Sequence, residues 1–264
     1  MRILRFEEAG RVRFGELDGD TIHELDGEPY AAVRRTGRRY GRPAVRLRTP
    51  VVPSKVIGIG LNYRDHAIEH HVELPTEPLM FFKAPSALIG PEESIILPDG
   101  IGTVDLEGEL VVVLRRPARH ITPHEAADYI LGYTCGNDVS ARDIQQRDRM
   151  WPARSKSFDT FAPVGPWIES AVDPGKLRLR TRINGQVRQD GTTADMVFGA
   201  FDLVSFLSHV VTLEPGDCIF TGTPAGVSPI KSGDRIEVEI EGIGTLANDV
   251  RPARGGWQHR SGRG

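Results

Sequence analysis

Apolar residues recur along the chain at every second position or in short unbroken runs, the spacing of strands more than of helices. Runs at 1–6, 12–17 and 21–25, separated by Glu-Ala-Gly and Asp-Gly-Asp turn signals, predict a small β-meander. The arginine-rich stretch 33–42 follows. It lacks a nucleic-acid motif and has acidic flanks, so a solvated loop is expected there, not a phosphate or RNA site. Prolines at 50 and 53 mark a boundary. Beyond it, 55–60 reads as a buried strand and 65–71 as a short helix with Asp65 as N-cap. Strands are predicted over 79–82, 95–97, 106–114 and 131–139. Helices are predicted over 123–130, capped by Thr122, and over 140–147. Residues 177–183 alternate with period two and end in Asn184-Gly185, a hairpin signal. An amphipathic helix over 201–210 precedes strands at 218–221, 235–240 and 245–250. The Gly/Arg-rich tail after Pro252 is expected to fray.

Many strands, few short helices and no regular β-α alternation predict an α+β fold built on a large mixed sheet. The expected organisation is a small N-terminal β unit (1–50), a catalytic domain (51–252) and a flexible tail (253–264). Composition adds exclusions. A net charge of −3 argues against nucleic-acid and membrane-surface partners. No run approaches the ~20 apolar residues of a membrane span, and no signal-peptide core follows Met1, so a cytoplasmic protein is expected. The two cysteines, Cys135 and Cys218, lie in apolar runs and read as buried thiols without a disulfide.

Several constellations could carry chemistry. In a strand, Glu107 and Glu109 project to one face with Gly108 between them. They would either hold a hard divalent cation, such as Mg²⁺, Mn²⁺ or Ca²⁺, or stand exposed on an edge strand. Asp138, in a turn at the end of a strand, could supply a third carboxylate. Arg142 and Gln145 share a helical face suited to a substrate carboxylate, unless Arg142 simply pairs with Asp143 or Asp148. Lys156 is one of only five lysines in a chain with 33 Lys and Arg. That bias reflects either genome composition or a need for a compact ammonium. His66 and Glu69, at i and i+3, are either a water-activating dyad or a surface pair. The segment 220–226 runs a strand into a Gly/Pro turn that presents N–H groups and the Thr223 hydroxyl to a small anion. Nucleotide-binding, Gly-x-Ser-x-Gly, His-Glu-x-x-His and Cys-x-x-Cys motifs are missing.

Together, and in this order, seven segments resemble the fumarylacetoacetate hydrolase family over about residues 50–252. They are Gly60-Leu-Asn-Tyr-Arg-Asp-His66, Phe81-Phe-Lys-Ala-Pro-Ser86, Asp105-Leu-Glu-Gly-Glu109, Asn137-Asp-Val-Ser-Ala-Arg-Asp143, Lys156-Ser-Phe-Asp159, Asn184-Gly185 with Gln189-Asp-Gly191, and Thr221-Gly-Thr-Pro-Ala-Gly226. The resemblance implies that Glu107, Glu109 and Asp138 are metal ligands and that Lys156 stands beside metal and substrate. It implies that Arg142, Gln145, Tyr63 and Thr223 contact substrate, and that His66 and Glu69 activate water on a mobile lid. Many relatives have Gly where this chain has Ser155. The implied activity is metal-dependent C–C hydrolysis of small 2,4-diketo acids, acylpyruvates or fumarylpyruvate. Oxaloacetate decarboxylation and 2-hydroxydienoate isomerisation in aromatic catabolism are the alternatives. A homodimer is implied by analogy.

Overall fold

In a computed structural model describing residues 1–69, 72–148 and 151–253, strands dominate and helices are short. The fold is α+β, as the hydrophobic spacing predicts. A 12-stranded mixed sheet has the order Arg35–Gly41, Thr21–Leu25, Arg11–Asp18, Arg2–Glu8, Ala162–Glu169, Ile130–Asn137, Gly108–Leu114, Cys218–Phe220, Val56–Gly60, Leu79–Lys83. Arg46–Arg48 and Leu88–Ile89 attach beside this path. A five-stranded sheet (Gln186–Thr192, Arg178–Ile183, Arg235–Ile240, Gly244–Pro252, Ile95–Leu97) packs across it. A three-stranded sheet joins Ser140–Ala141, Val104–Leu106 and Ser228–Pro229. The helices are α1 (Arg64–Glu69), α2 (Arg142–Arg147), α3 (Ala153–Lys156) and α4 (Ala200–Val210).

The central strand Gly108–Leu114 is buried along its whole length. That explains why its apolar run is continuous where a half-exposed strand would alternate. On one face, Leu110 and Val112 pack with Leu179, Val238 and Ile240 of the five-stranded sheet and with Leu203 and Leu207 of α4. On the other face, Val111 and Val113 meet Val164, Phe220, Ile3 and Phe14. Both cysteines are free and buried, as expected. The N-terminal meander continues the large sheet, because Arg2 and Ile3 pair with Glu169 and Ile168. None of the described helices is long and apolar enough to cross a membrane.

Several local expectations are corrected. The arginine-rich stretch is not a loop. Residues Arg35–Gly41 form an exposed edge strand paired to Thr21–Leu25. Its charges blunt a sheet edge that would otherwise invite pairing. Over 123–130 there is only a single 3₁₀ turn, Ala126–Tyr129. In place of a helix beginning at residue 140, Ser140–Ala141 bridges to Val104 and Asp105, and α2 starts at Arg142. Asp65 is not an N-cap. It lies inside the first turn of α1, where its Oδ1 accepts the His66 N–H at 2.8 Å. The strand Ala162–Glu169 has no counterpart in the sequence reading, because Pro163 and Pro166 break its pattern. The end of the expected 65–71 helix and the tail from residue 254 onward lie outside the described residues. Ala253, the last described residue, donates its N–H to Leu97 O at 2.9 Å.

Gly108 lets the two sheets meet behind the acidic pair. A Cβ there would come 2.3 Å from Thr181 Cγ2, a fully buried side chain. Gly108→Ala should therefore destabilise the metal-free protein by about 1–3 kcal/mol through overpacking, measured by denaturant unfolding. A change below about 0.5 kcal/mol, the scale of an ordinary surface substitution, would contradict this close approach.

Candidate metal centre and active site

The acidic centre is assembled by strand pairing. Glu109 pairs with Gly136 and Gly108 with Asn137, and the Asp138 N–H donates to Glu107 O at 2.8 Å. This register carries Glu107, Glu109 and Asp138 to the same end of two neighbouring central strands. All three are buried, and each offers an oxygen within 4.8 Å of the others.

Three cations neutralise part of this charge. Lys156 Nζ lies 2.7 Å from Glu107 Oε2 and 2.7 Å from Asp138 Oδ2. The Lys83 ammonium binds Asp138 Oδ1. Arg142 donates from Nε to Asp105 at 2.7 Å, from Nη1 to Gln145 Oε1 at 2.9 Å, and from Nη2 to Glu107. Four carboxylates thus face three cations. The unbalanced one is Glu109, whose Oε2 accepts the Gly222 N–H at 2.7 Å and forms no ion pair among the described residues. Burial, reinforced by Asp138 and Glu107, holds the Glu109 carboxyl well above the usual range. Burial pushes Glu107 the same way, but Lys156 and Arg142 outweigh it and hold Glu107 low. Burial opposes the charge on Lys156, and Asp138 and Glu107 more than offset it, so Lys156 is raised. Lys83 is lowered, because its complete burial and the nearby Lys156 outweigh Asp138.

The donor set fits a hard divalent ion. It consists of oxygen ligands only, with one carboxylate lacking a counter-charge and no soft sulfur or imidazole within the trio. Carboxylate oxygens have spare lone pairs, so Glu107 and Asp138 can share with their lysines and a cation at once.

These groups open onto a cavity of about 750 Å³, lined by Glu107, Glu109, Asp138, Arg142, Gln145, Lys156, His66 and Thr223 among others. Of the residues expected at the site, Tyr63 and Glu69 do not line it. Glu69 stands behind His66, with Oε2 3.3 Å from Nδ1. Both Glu69 oxygens also lie 3.3 Å from the Gly226 N–H. Tyr63 is fully buried among Ile57, Leu110 and Met196. Its place in a strand-to-helix turn gave no sign of this. The Thr223 hydroxyl is already engaged, donating to Gly108 O at 2.8 Å and accepting from Gln189 Nε2 at 2.7 Å.

Three contributors were not singled out from the sequence. Lys83 sits inside a matched segment, and its rarity as a lysine was a usable signal. Gln189 is fully buried and ties Gly108, Thr223 and Pro224 together. Asn62 clamps the base of α1 through Phe198 O at 3.0 Å and Thr221 O at 2.7 Å. Amides such as these carry no spacing signature. Ser155, where many relatives were expected to have Gly, closes the short α3 by donating to Pro152 O at 2.8 Å. That turn delivers Lys156 into the centre.

Two family models match the chain. The family described as "Fumarylacetoacetate (FAA) hydrolase C-terminal" matches residues 55–251, and "Rv2993c-like, N-terminal" matches residues 1–50. An uncharacterised protein of Archaeoglobus fulgidus is 50% identical over 92% of this chain and 94% of its own length. The rat protein "Oxaloacetate tautomerase Fahd2a, mitochondrial" is 41% identical over 79% of this chain and 70% of its own. The structure of 2-hydroxyhepta-2,4-diene-1,7-dioate isomerase from Mycobacterium marinum superposes with a TM-score of 0.90 at 42% identity, covering 97% of this chain and 100% of that one. Maleylpyruvate hydrolase from Sphingobium, solved with manganese(II) and pyruvate, gives 0.79 at 30% identity, covering 96% and 100%.

Mg²⁺ or Mn²⁺ at a hundredfold excess over Kd should raise the melting midpoint by ~5–10 °C, and Glu109→Gln should abolish most of that rise. Without metal the sign reverses. A carboxyl raised by folding lends stability that is present below its unfolded pKa and is lost as pH climbs through the folded value. Metal-free Glu109→Gln should therefore melt above metal-free wild type at pH 8, with the gap closing towards pH 4. Equal midpoints at pH 8 would contradict the buried-repulsion argument.

Proposed function

The chain belongs to the fumarylacetoacetate hydrolase family, and from that premise we propose that it hydrolyses the C–C bond of small 2,4-diketo acids, releasing pyruvate and a carboxylic acid. The observation that carries this reading is a carboxylate-backed imidazole, His66–Glu69, facing the same cavity as the acidic trio.

Glu107, Glu109 and Asp138 would hold a divalent cation, Mg²⁺ or Mn²⁺. Such an ion, when bound, supplies Lewis-acid polarisation of a 2-keto group. The chain's own residues do the rest. Glu69 accepts the Nδ1–H of His66, which fixes the ring tautomer and leaves Nε2 to take a proton from water. The resulting hydroxide adds to the distal carbonyl. Collapse of that adduct breaks the bond to C3 and leaves the electron pair on the pyruvate fragment as its enolate, which is then protonated at carbon. Lys156, charged because its two carboxylates outweigh burial, offsets negative charge developing beside it. Arg142, locked by Asp105 and Glu107, orients the substrate with Gln145. Thr223, held by Gly108 and Gln189, shapes the wall. Assembly as a homodimer belongs to the same proposal.

A second reading, tautomerisation or decarboxylation of a 2-keto dicarboxylate, draws support from the name of the rat relative. Decarboxylation leaves the same pyruvate enolate and tautomerisation forms the enolate of the intact substrate, and neither needs water activation. Pyruvate release from acetylpyruvate and from oxaloacetate, followed together with the ultraviolet absorbance of the oxaloacetate enol, which reports tautomerisation, and each with Mg²⁺, Mn²⁺ or EDTA, separates the two. The expected result is EDTA-sensitive release from acetylpyruvate, with kcat about 10²–10⁴-fold lower in His66→Ala. Turnover of oxaloacetate alone would favour the second reading, and no metal-dependent turnover of either would sink both.

A further inference from the structure

We infer that the substrate's distal group, beyond the 2-keto acid head, is uncharged and apolar: an alkyl or aryl chain where a second carboxylate would otherwise stand. This rests on the proposed assignment of the cavity to 2-keto acids. The charge in the cavity is gathered at one end. Among the described residues its lining carries two permanent cations, Lys156 and Arg142, and both are committed. Lys156 binds Glu107 and Asp138. Every nitrogen of the Arg142 guanidinium has a partner in Asp105, Glu107 or Gln145. His66, the third basic group, faces Glu69.

The rest of the wall changes character abruptly. Leu61, Pro78, Leu79, Met80, Phe81 and Pro152 line it, with the Gln146 amide as a polar exception. The Phe81 ring marks the border. Its centroid lies 5.3 Å from Lys156 Nζ, and the ring covers Gly58, where a Cβ would come within 2.3 Å of it. A cavity of about 750 Å³ holds more than a pyruvate head, so part of any substrate lies against this apolar wall. A second carboxylate there would lose water without gaining an unpaired cation among the described residues. An alkyl or aryl group would lose only unfavourable hydration.

The test is a matched pair of unreactive 2-oxo acids, 2-oxoadipate and its shape analogue 6-methyl-2-oxoheptanoate, titrated calorimetrically into the Mg²⁺-loaded protein. The branched alkyl acid should bind at least about tenfold tighter. In Leu79→Arg, where an exposed wall position gains a cation, that preference should shrink or reverse; Leu79 is 46% exposed, so the longer side chain is tolerated. Equal or tighter binding of 2-oxoadipate to wild type overturns the inference, and so does binding of neither. Failure of acylpyruvates to release pyruvate while the binding order holds would strike the hydrolysis reading alone.

Discussion

Three buried carboxylates that cannot all stay charged without compensation impose the constraint on which the rest of the structure depends. Glu107, Glu109 and Asp138 are brought together by the register of two central strands, where water cannot screen them. The protein answers with Lys83 from an edge strand and with Arg142 and Lys156 from the consecutive helices α2 and α3. With Asp105, which Arg142 also binds, four carboxylates face these three cations, and one negative charge is left over, at Glu109. A divalent ion would more than neutralise it and leave a site of net positive charge, suited to an anionic 2-keto acid.

The turn that binds the centre also positions the His66–Glu69 pair. Asp65 and Glu69 of α1 accept N–H groups of Ala225 and Gly226, in the turn whose Gly222 N–H binds Glu109. Asn62 anchors the start of that helix, and Gln189 fixes the turn from the five-stranded sheet. His66 is therefore referenced to the acidic trio through one short turn, 221–226. α1 has six described residues, and short helices have little stability of their own, so its placement depends on these side-chain contacts.

Much of this was legible in the sequence, for identifiable reasons. Strands with strong alternation or unbroken apolar runs, such as Gly108–Leu114 and Arg178–Ile183, were readable because burial dictates their composition. The carboxylates were readable because Glu-Gly-Glu in an expected strand suggested a shared face, although Glu107 itself lies in the break between Val104–Leu106 and Gly108–Leu114. Ala162–Glu169 was not, since two prolines conceal a central strand whose pairing is decided by its neighbours. The charged edge strand Arg35–Gly41 was missed because backbone pairing, not side-chain burial, holds it. The burial of Tyr63 shows only in packing, which its position in a motif does not reveal. Lys83 was missed although the scarcity of lysine that drew notice to Lys156 applies equally to it.

Direct counting of bound Mn²⁺ by electron paramagnetic resonance tests the central claim, that the buried trio is a divalent-cation site. One ion per chain in wild type is expected, with binding lost in Asp138→Asn and in Glu109→Gln while both variants stay folded. No bound ion in wild type, or an ion that persists in both variants, would contradict it.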